Sequence, residues 1–505
     1  MTDVDENLTE PDRGTAPESD EAATHVLYEP DPQGKSSPQP TEVPHFTPAA
    51  RAARGRAARS ELPRSVHGTW EPTPTRRDPV DLLEEQAQSR LPELGPIRYG
   101  RMLASPFTFF RGGAYLMAAD LANGPRTGLH VQLCGDAHLS NFGIFAATDR
   151  RRVFSINDFD ETLPGPFEWD VKRLAASAVV LGRDRGFSGA ERRSVVTAAV
   201  GEYREAMARF ARMRNVDVWY TRLDLAVIQE RFRAATSGQQ MKRLKRSVVD
   251  VRTKDSLRAL RKLCRTVDGE LRIIGDPPLV TPIEDVVPGA EWEHLEDVAR
   301  RMMRTYRRTL PRDRRHLLES YRYVHAARKV VGVGSVGARA WILLMVGRDD
   351  NDPLFLQFKE AQASVLEPFL GRSRFAQHGQ RVVEGQRMMQ AAPDILLGWE
   401  RVVAIDGEKR DFYIRQLWDA KGSAEVELMD ETALAAYGRI CGWTLARAHA
   451  RSGDRIAISA YLGSSSSFDR AMAAFAESYA DQNERDYRAL QEAAASGRVS
   501  AEIGV

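Results

Sequence analysis

No run in this chain approaches the roughly 18 consecutive apolar residues that a membrane-crossing helix needs, so a helical membrane span is not expected. Cysteine is scarce. Cys134, Cys264 and Cys441 are scattered and form no metal-type pair, which argues against a disulfide framework and fits a reducing compartment. A charge excess of one sign is absent as well: 72 basic side chains face 70 acidic ones, for a formal charge of +2. That balance gives no reason to expect nucleic acid or a lipid surface as the partner. The amino terminus, MTDVDENLTEPDRG, has no apolar segment that could act as a secretion signal. A cytoplasmic protein is the expectation.

What is present is a chain of 505 residues, too long for one ordinary core. Residues 1–78 are rich in Pro, Ser, Thr, Glu and Arg, with almost no apolar periodicity, and read as a disordered tail. Residues 79–325 read as a mainly helical lobe, almost wholly helical from 189, with two short strands around GLHVQLCGD and RRVFSINDFD. Residues 326–425 change texture. KVVGVGSVGARAWILLMVGRDDNDPLFLQFKEA reads as strand, glycine turn, strand, charged turn, strand, and a further hairpin is expected around Asp406-Gly407. Residues 426–505 return to helix. The fold class is α+β with a small antiparallel sheet.

The stretch CGDAHLSNFGIFAATDRRRVFSINDFDETLPGPFEWDVKRLAAS concentrates Asp136, Asp158, Asp160, Glu161, Glu168 and Asp170 beside apolar segments, where uncompensated charge is costly. Phosphoryl transfer from a magnesium nucleotide asks for such a set: an aspartate to orient or deprotonate the acceptor, and oxygen ligands to hold the metal on the phosphates. On this reading Asp136 is the base and Asn141 and Asp158 are metal ligands. Asp160 and Glu161 either back the metal ligands from behind or join them as auxiliary ligands, and Asp170 bonds backbone amides of the loop. His138 lies inside that loop as a candidate phosphate donor, against a hydrogen-bonded structural role. Gly332, Gly334 and Gly337 form a turn whose N–H groups could approach phosphates, and Lys359 lies late in a following strand, suited to neutralise them. Glu367 or Glu384 could pair with Lys359 from a helix. Arg111, in FFRGG, could reach a phosphate or simply be a solvated helix arginine.

The pattern Asp136-x-x-x-x-Asn141 followed by Asp158-Phe159-Asp160 resembles the catalytic and metal motifs of protein kinases, and still more those of aminoglycoside and choline phosphotransferases. Cys134 stands where those families carry His, and Asp160 where they carry Gly. The resemblance implies ATP and Mg2+ as cofactors, an adenine-facing hinge near Gln416 to Trp418, and a kinase-like fold of two lobes. Kinases place the glycine loop and lysine before the catalytic aspartate, so the resemblance implies a circular permutation, with LARAHARSGD leading into the loop at 131. The stretches SPFTFFRGGA, CGDAHLSNFG, NDFDETLPGPFEWDVKRLAAS and GQRVVEGQRMMQAAPD also resemble a bacterial family known as domain of unknown function 2252, which brings no activity with it.

The expected function is a Mg-ATP phosphotransferase acting on an unknown small molecule or protein. Two alternatives stay open. Gly135-Asp136-x-His138 resembles the start of metal-dependent phosphoesterases, yet no Gly-Asn-His element follows and the chain has ten histidines in all. A nucleotide-binding pseudokinase or scaffold without turnover is the other.

Overall fold

A computed structural model describes residues 45–504 except 229, 231–255, 287–299, 331, 333, 335, 404–406 and 418–421. The fold is α+β, with antiparallel sheets set against a helical body. No described helix is long and apolar enough to cross a membrane.

The helical body is built on two long helices, Gly189–Ala211 and Glu431–Ser452, together with Phe167–Asp184 and Ser467–Ala495. The starts of the first two are chemically marked. Ser188 and Glu191 form a reciprocal capping box, and Asp430 accepts the N–H of Ala433 at 2.9 Å. Small residues let the first pair approach closely: a methyl at Gly442 would fall on the Ala199 carbonyl. Phe167, Tyr203, Tyr461 and Phe468 meet edge-on or stacked in the buried centre.

The expected tail is only partly testable, because residues 1–44 lie outside the described residues. Within 45–78 the expectation is corrected: Pro48–Glu61 is a helix. The segment is short of large apolar residues but rich in alanine, the best helix former, and Thr47 caps it by accepting the N–H of Ala50. It docks where Gly55 lies against the Ala457 backbone and Arg51 pairs with Asp454 at 2.9 Å.

The larger sheet has six antiparallel strands in the spatial order Gly398–Val403, Lys409–Gln416, Pro353–Ala361, Ala340–Val346, Arg322–Lys329 and Val280–Pro282. Every residue of Pro353–Ala361 is buried, as befits a central strand with side chains covered on both faces. Helix His378–Met389 lies between this strand and the next two in sequence. A second sheet joins Gly422–Ser423, Phe142–Ala146, Arg152–Ile156 and Leu223–Asp224, and His130–Leu133 pairs with Leu163–Pro166.

The reading of 189–325 as almost wholly helical is also corrected. Cys264–Val267 and Glu270–Ile273 form a hairpin, and Val280–Pro282 extends the large sheet. Asp268 and Gly269 both take positive φ, at 51° and 83°, the pattern of a two-residue hairpin turn.

Candidate functional site

The loop bearing Asp136 is fixed from beneath. Asp170, in the first turn of Phe167–Asp184, accepts the N–H of Cys134 at 2.8 Å and of Gly135 at 3.1 Å, the structural role expected for it. His449 Nε2 lies 3.2 Å from the same carboxylate, and Tyr203 Oη lies 2.8 Å from His449 Nδ1. Gly135 has φ +83°, and a methyl there would stand 2.5 Å from the Glu161 carbonyl, so both conformation and space require glycine.

Asp136 projects above this base. Its Oδ1 accepts from Arg173 Nε at 2.8 Å, and its backbone oxygen accepts from Asn141 Nδ2 at 2.7 Å. Burial pushes its carboxyl above the ordinary carboxylate range, although Arg173 pulls the other way. His138 Nε2 lies 3.5 Å from Oδ2. Burial, with Arg173 and Arg111 nearby, holds the His138 ring well below its ordinary pKa, so it is a neutral imidazole rather than a cationic phosphate donor. Asn141 and Asp158 border the same cavity and carry hard oxygens, one of which, Asp158 Oδ1, accepts the N–H of Asp160 at 3.1 Å. Magnesium takes one or two such protein ligands and completes its shell with phosphate and water, so the pair fits that metal. Among the described residues no group of three or more His, Cys, Asp and Glu is set to hold a metal ion.

Asp160, expected either to back the metal ligands or to join them, has both oxygens engaged by protein side chains, which speaks against the auxiliary-ligand alternative. Its Oδ2 accepts from Lys359 Nζ and its Oδ1 accepts from Tyr413 Oη at 2.8 Å. Tyr413 stands opposite Lys359 in the strand register. Burial works to raise the Asp160 pKa, but Lys359 and the tyrosine hydroxyl outweigh it and the net shift is downward. Lys359 is only 2% exposed, and Asp160 keeps it charged against its own burial. The expected partners of Lys359 are therefore both displaced. Glu384 lies 3.2 Å from Arg387, and Glu367 accepts the N–H of Ser364. In their place helix His378–Met389 presents a buried cation, Arg381, which donates to the carbonyls of Asp160, Thr162 and Gln362, each at 2.8 Å. Glu161 Oε2 accepts the N–H of Val365, and burial raises its carboxyl to about 7.

The glycine turn lies across the cavity. Gly332 and Gly334 border it together with Asp136, Asn141, Asp158 and Asp160. Gly337 has φ +90° and faces Arg90, where a methyl would come within 2.9 Å of Cβ. The turn is braced from the helical body: Leu91 N–H donates to the Gly337 carbonyl at 2.8 Å, and Arg101 and Arg90 donate to the carbonyls of Gly332 and Val336. The hinge expectation fails at Gln416. Its N–H and its side-chain amide both donate to Asp394, at 2.6 and 2.8 Å, leaving neither for a purine. The next N–H, of Leu417, donates to the Phe355 carbonyl. Trp418 lies outside the described residues.

Reading the chain as a sequence missed Arg381 and Tyr413 as site residues, whereas Arg173, which follows Asp170 on its helix, was expected to pair with a nearby acid and does so with Asp136. Tyr413 was recoverable from strand pairing opposite Lys359, whereas nothing in GQRVVEGQRMMQ distinguishes a buried arginine from a solvated one.

A family model described as an uncharacterized protein conserved in bacteria (DUF2252) matches residues 90–493. The chain belongs to the DUF2252 family. The matched span contains the Asp136 loop, the glycine turn and Lys359. Searches of curated proteins and of solved structures returned no match.

Proposed function

We propose that this DUF2252 protein is a Mg-ATP-dependent phosphotransferase of kinase-like, circularly permuted build. The observation that carries the reading is that Gly332 and Gly334 border one cavity with Asp136, Asn141 and Asp158, although Lys359 follows Asp160 by 199 residues. The order of elements supports it. From 322 the chain runs strand, glycine turn, strand, lysine strand, a one-turn helix and helix His378–Met389, two strands of the large sheet, the short strand Gly422–Ser423 and then, after a 3-10 turn, helix Glu431–Ser452. That helix ends against the strand leading to Asp136: Gln132 N–H donates to Ser452 Oγ at 3.2 Å, and Gly453 abuts Val131. In an unpermuted chain the two would be joined there.

The chemistry follows from the residues. Arg173 fixes Oδ1 of Asp136, which leaves Oδ2 to orient an acceptor hydroxyl and take its proton as the phosphoryl group is transferred. A carboxyl raised by burial is the better base for that step. Asn141 and Asp158 would hold magnesium, whose charge would neutralise phosphate oxygens. The N–H groups of the glycine turn would approach the same oxygens. Lys359 sets the position of Asp160 and hence of the Asp158–Thr162 segment.

A nucleotide-binding scaffold without turnover is the second reading, favoured by the engagement of Lys359 with Asp160 and Tyr413. Thermal denaturation with Mg-ATP, with Mg2+ and with Mn2+ separately tests binding: stabilisation that needs both nucleotide and metal is expected. No shift with Mg-ATP refutes both readings. ATP consumption that disappears in Asp136→Asn while Mg-ATP still stabilises the protein supports transfer over scaffold.

A further inference from the structure

The Asp136 cavity contains a cation that makes no hydrogen bond among the described residues, although Glu427 and Asp136 attract it through charge. Arg111 ends helix Pro106–Gly112 and borders the cavity beside Asp136, His138 and Asn141. The other arginines nearby are committed. Arg173 donates to Asp136 and to the Phe110 carbonyl, Arg90 and Arg101 hold the glycine turn, and Arg381 holds three carbonyls. Arg111 makes no such bond among the described residues, and its Nε is buried without a partner. A second polar group in the same wall also lacks a hydrogen-bond partner among the described residues: His138 is 3% exposed, and its Nδ1 meets none. Across from them, Gly334 sits so that its Cβ position is 3.5 Å from the Arg111 carbonyl, which brings the glycine turn down onto this arginine. Buried polar groups without partners are costly in a folded protein, and here two of them line one cavity.

We infer that Arg111, with His138 beside it, forms a subsite for a phosphate-type oxyanion next to Asp136, and that Arg111 rather than Lys359 is the cation that meets the phosphate. The planar guanidinium suits a phosphoryl group because it can donate two parallel N–H bonds to its oxygens. Lys359 is withheld from that role by Asp160 and Tyr413. The oxyanion has two chemical sources, the terminal phosphoryl group of the nucleotide or an anionic group on the acceptor. The inference rests on the phosphotransferase reading for its place in a reaction but not for the existence of the site.

Calorimetry on the full chain and its Arg111→Gln and Arg111→Lys variants, with Mg-ATP, Mg-ADP and inorganic phosphate as probes, tests it. Arg111 donates no hydrogen bond among the described residues, and the charges that act on it, Glu427 and Asp136, attract it without one, so both variants are expected to melt within a degree or two of the parent. If the anion is the terminal phosphoryl group, Arg111→Gln loses about tenfold in Mg-ATP affinity, equivalent to ~1.4 kcal/mol, and keeps its Mg-ADP affinity, with partial recovery in Arg111→Lys. If it belongs to the acceptor, both nucleotide affinities hold, and binding of phosphate to the ADP-loaded protein is lost in Arg111→Gln. Either outcome supports the subsite and names its source. Phosphate binding that depends on Arg111 in a protein that binds no nucleotide would leave the subsite standing and remove the phosphotransferase reading. Mg-ATP, Mg-ADP and phosphate all binding Arg111→Gln as they bind the parent would overturn the subsite and leave that reading in place.

Discussion

Asp136 and Asp160 border one cavity, and each has a buried cation against it, yet they are driven in opposite directions. Arg173 meets Asp136 but shares itself with the Phe110 carbonyl, so burial wins and the carboxyl is raised. Lys359 gives itself to Asp160, Tyr413 adds a hydroxyl, and the carboxyl is lowered. A cation nearby does not decide the protonation of a buried acid. What decides it is how completely partners replace the lost water. Asp136 is left with an oxygen to use, whereas both oxygens of Asp160 are occupied. On the phosphotransferase proposal the first aspartate takes the proton, and the second holds two parts of the chain together.

The sharpest way to break this contrast is Asp160→Ala, which strands Lys359 as an unpaired buried charge. Urea denaturation is expected to show a loss of ~3–5 kcal/mol. Asp160→Leu combined with Lys359→Met should recover most of it, since the pair is then replaced by apolar groups. Asp136→Asn is expected to cost less stability, because the amide oxygen still accepts from Arg173, but to lower turnover at least ~100-fold in an ATP-consumption assay. Equal stability losses at the two positions would erase the distinction.

Glu161 offers a third comparison, through pH. Its folded pKa of about 7 exceeds the ordinary 4.5, so between these values the folded state binds more protons than the unfolded one. Stability therefore falls as pH rises from 4.5 toward 7, at up to roughly 1.4 kcal/mol per unit. Glu161→Gln should flatten that slope in denaturation curves recorded across the window. The smallest expected effect is Tyr413→Phe, which removes one bond to Asp160 and should cost ~1 kcal/mol, measured by the same denaturation.

The parts of the site that could be read in the sequence were those whose geometry is local. Asp136, Asn141 and Asp158 sit on loops next to short strands, glycine spacing marked the turn, and Asp170 at a helix start announced its hold on the loop amides. Partnerships across the fold were not readable. Lys359 meets Asp160 rather than Glu367 or Glu384 because the Asp158–Thr162 segment passes beneath the lysine strand, a long-range contact with no signature in either segment. Gln416 was displaced as a hinge for the same reason: Asp394 comes from a separate connection and takes both donors. The hairpin at 264–273 was different. Asp268-Gly269 between CRTV and ELRI was a legible turn signal, overlooked because the surrounding residues are basic and helical in pattern.

The anchor beneath the Asp136 loop has a temporal side. His449 follows Asp170 by 279 residues, so a ribosome delivers the acid long before the imidazole that fastens it, and the helix abutting Val131 arrives equally late. Nascent chains short of that helix lack the imidazole that meets Asp170, so the loop bearing Asp136 gains its full support only when synthesis is nearly finished.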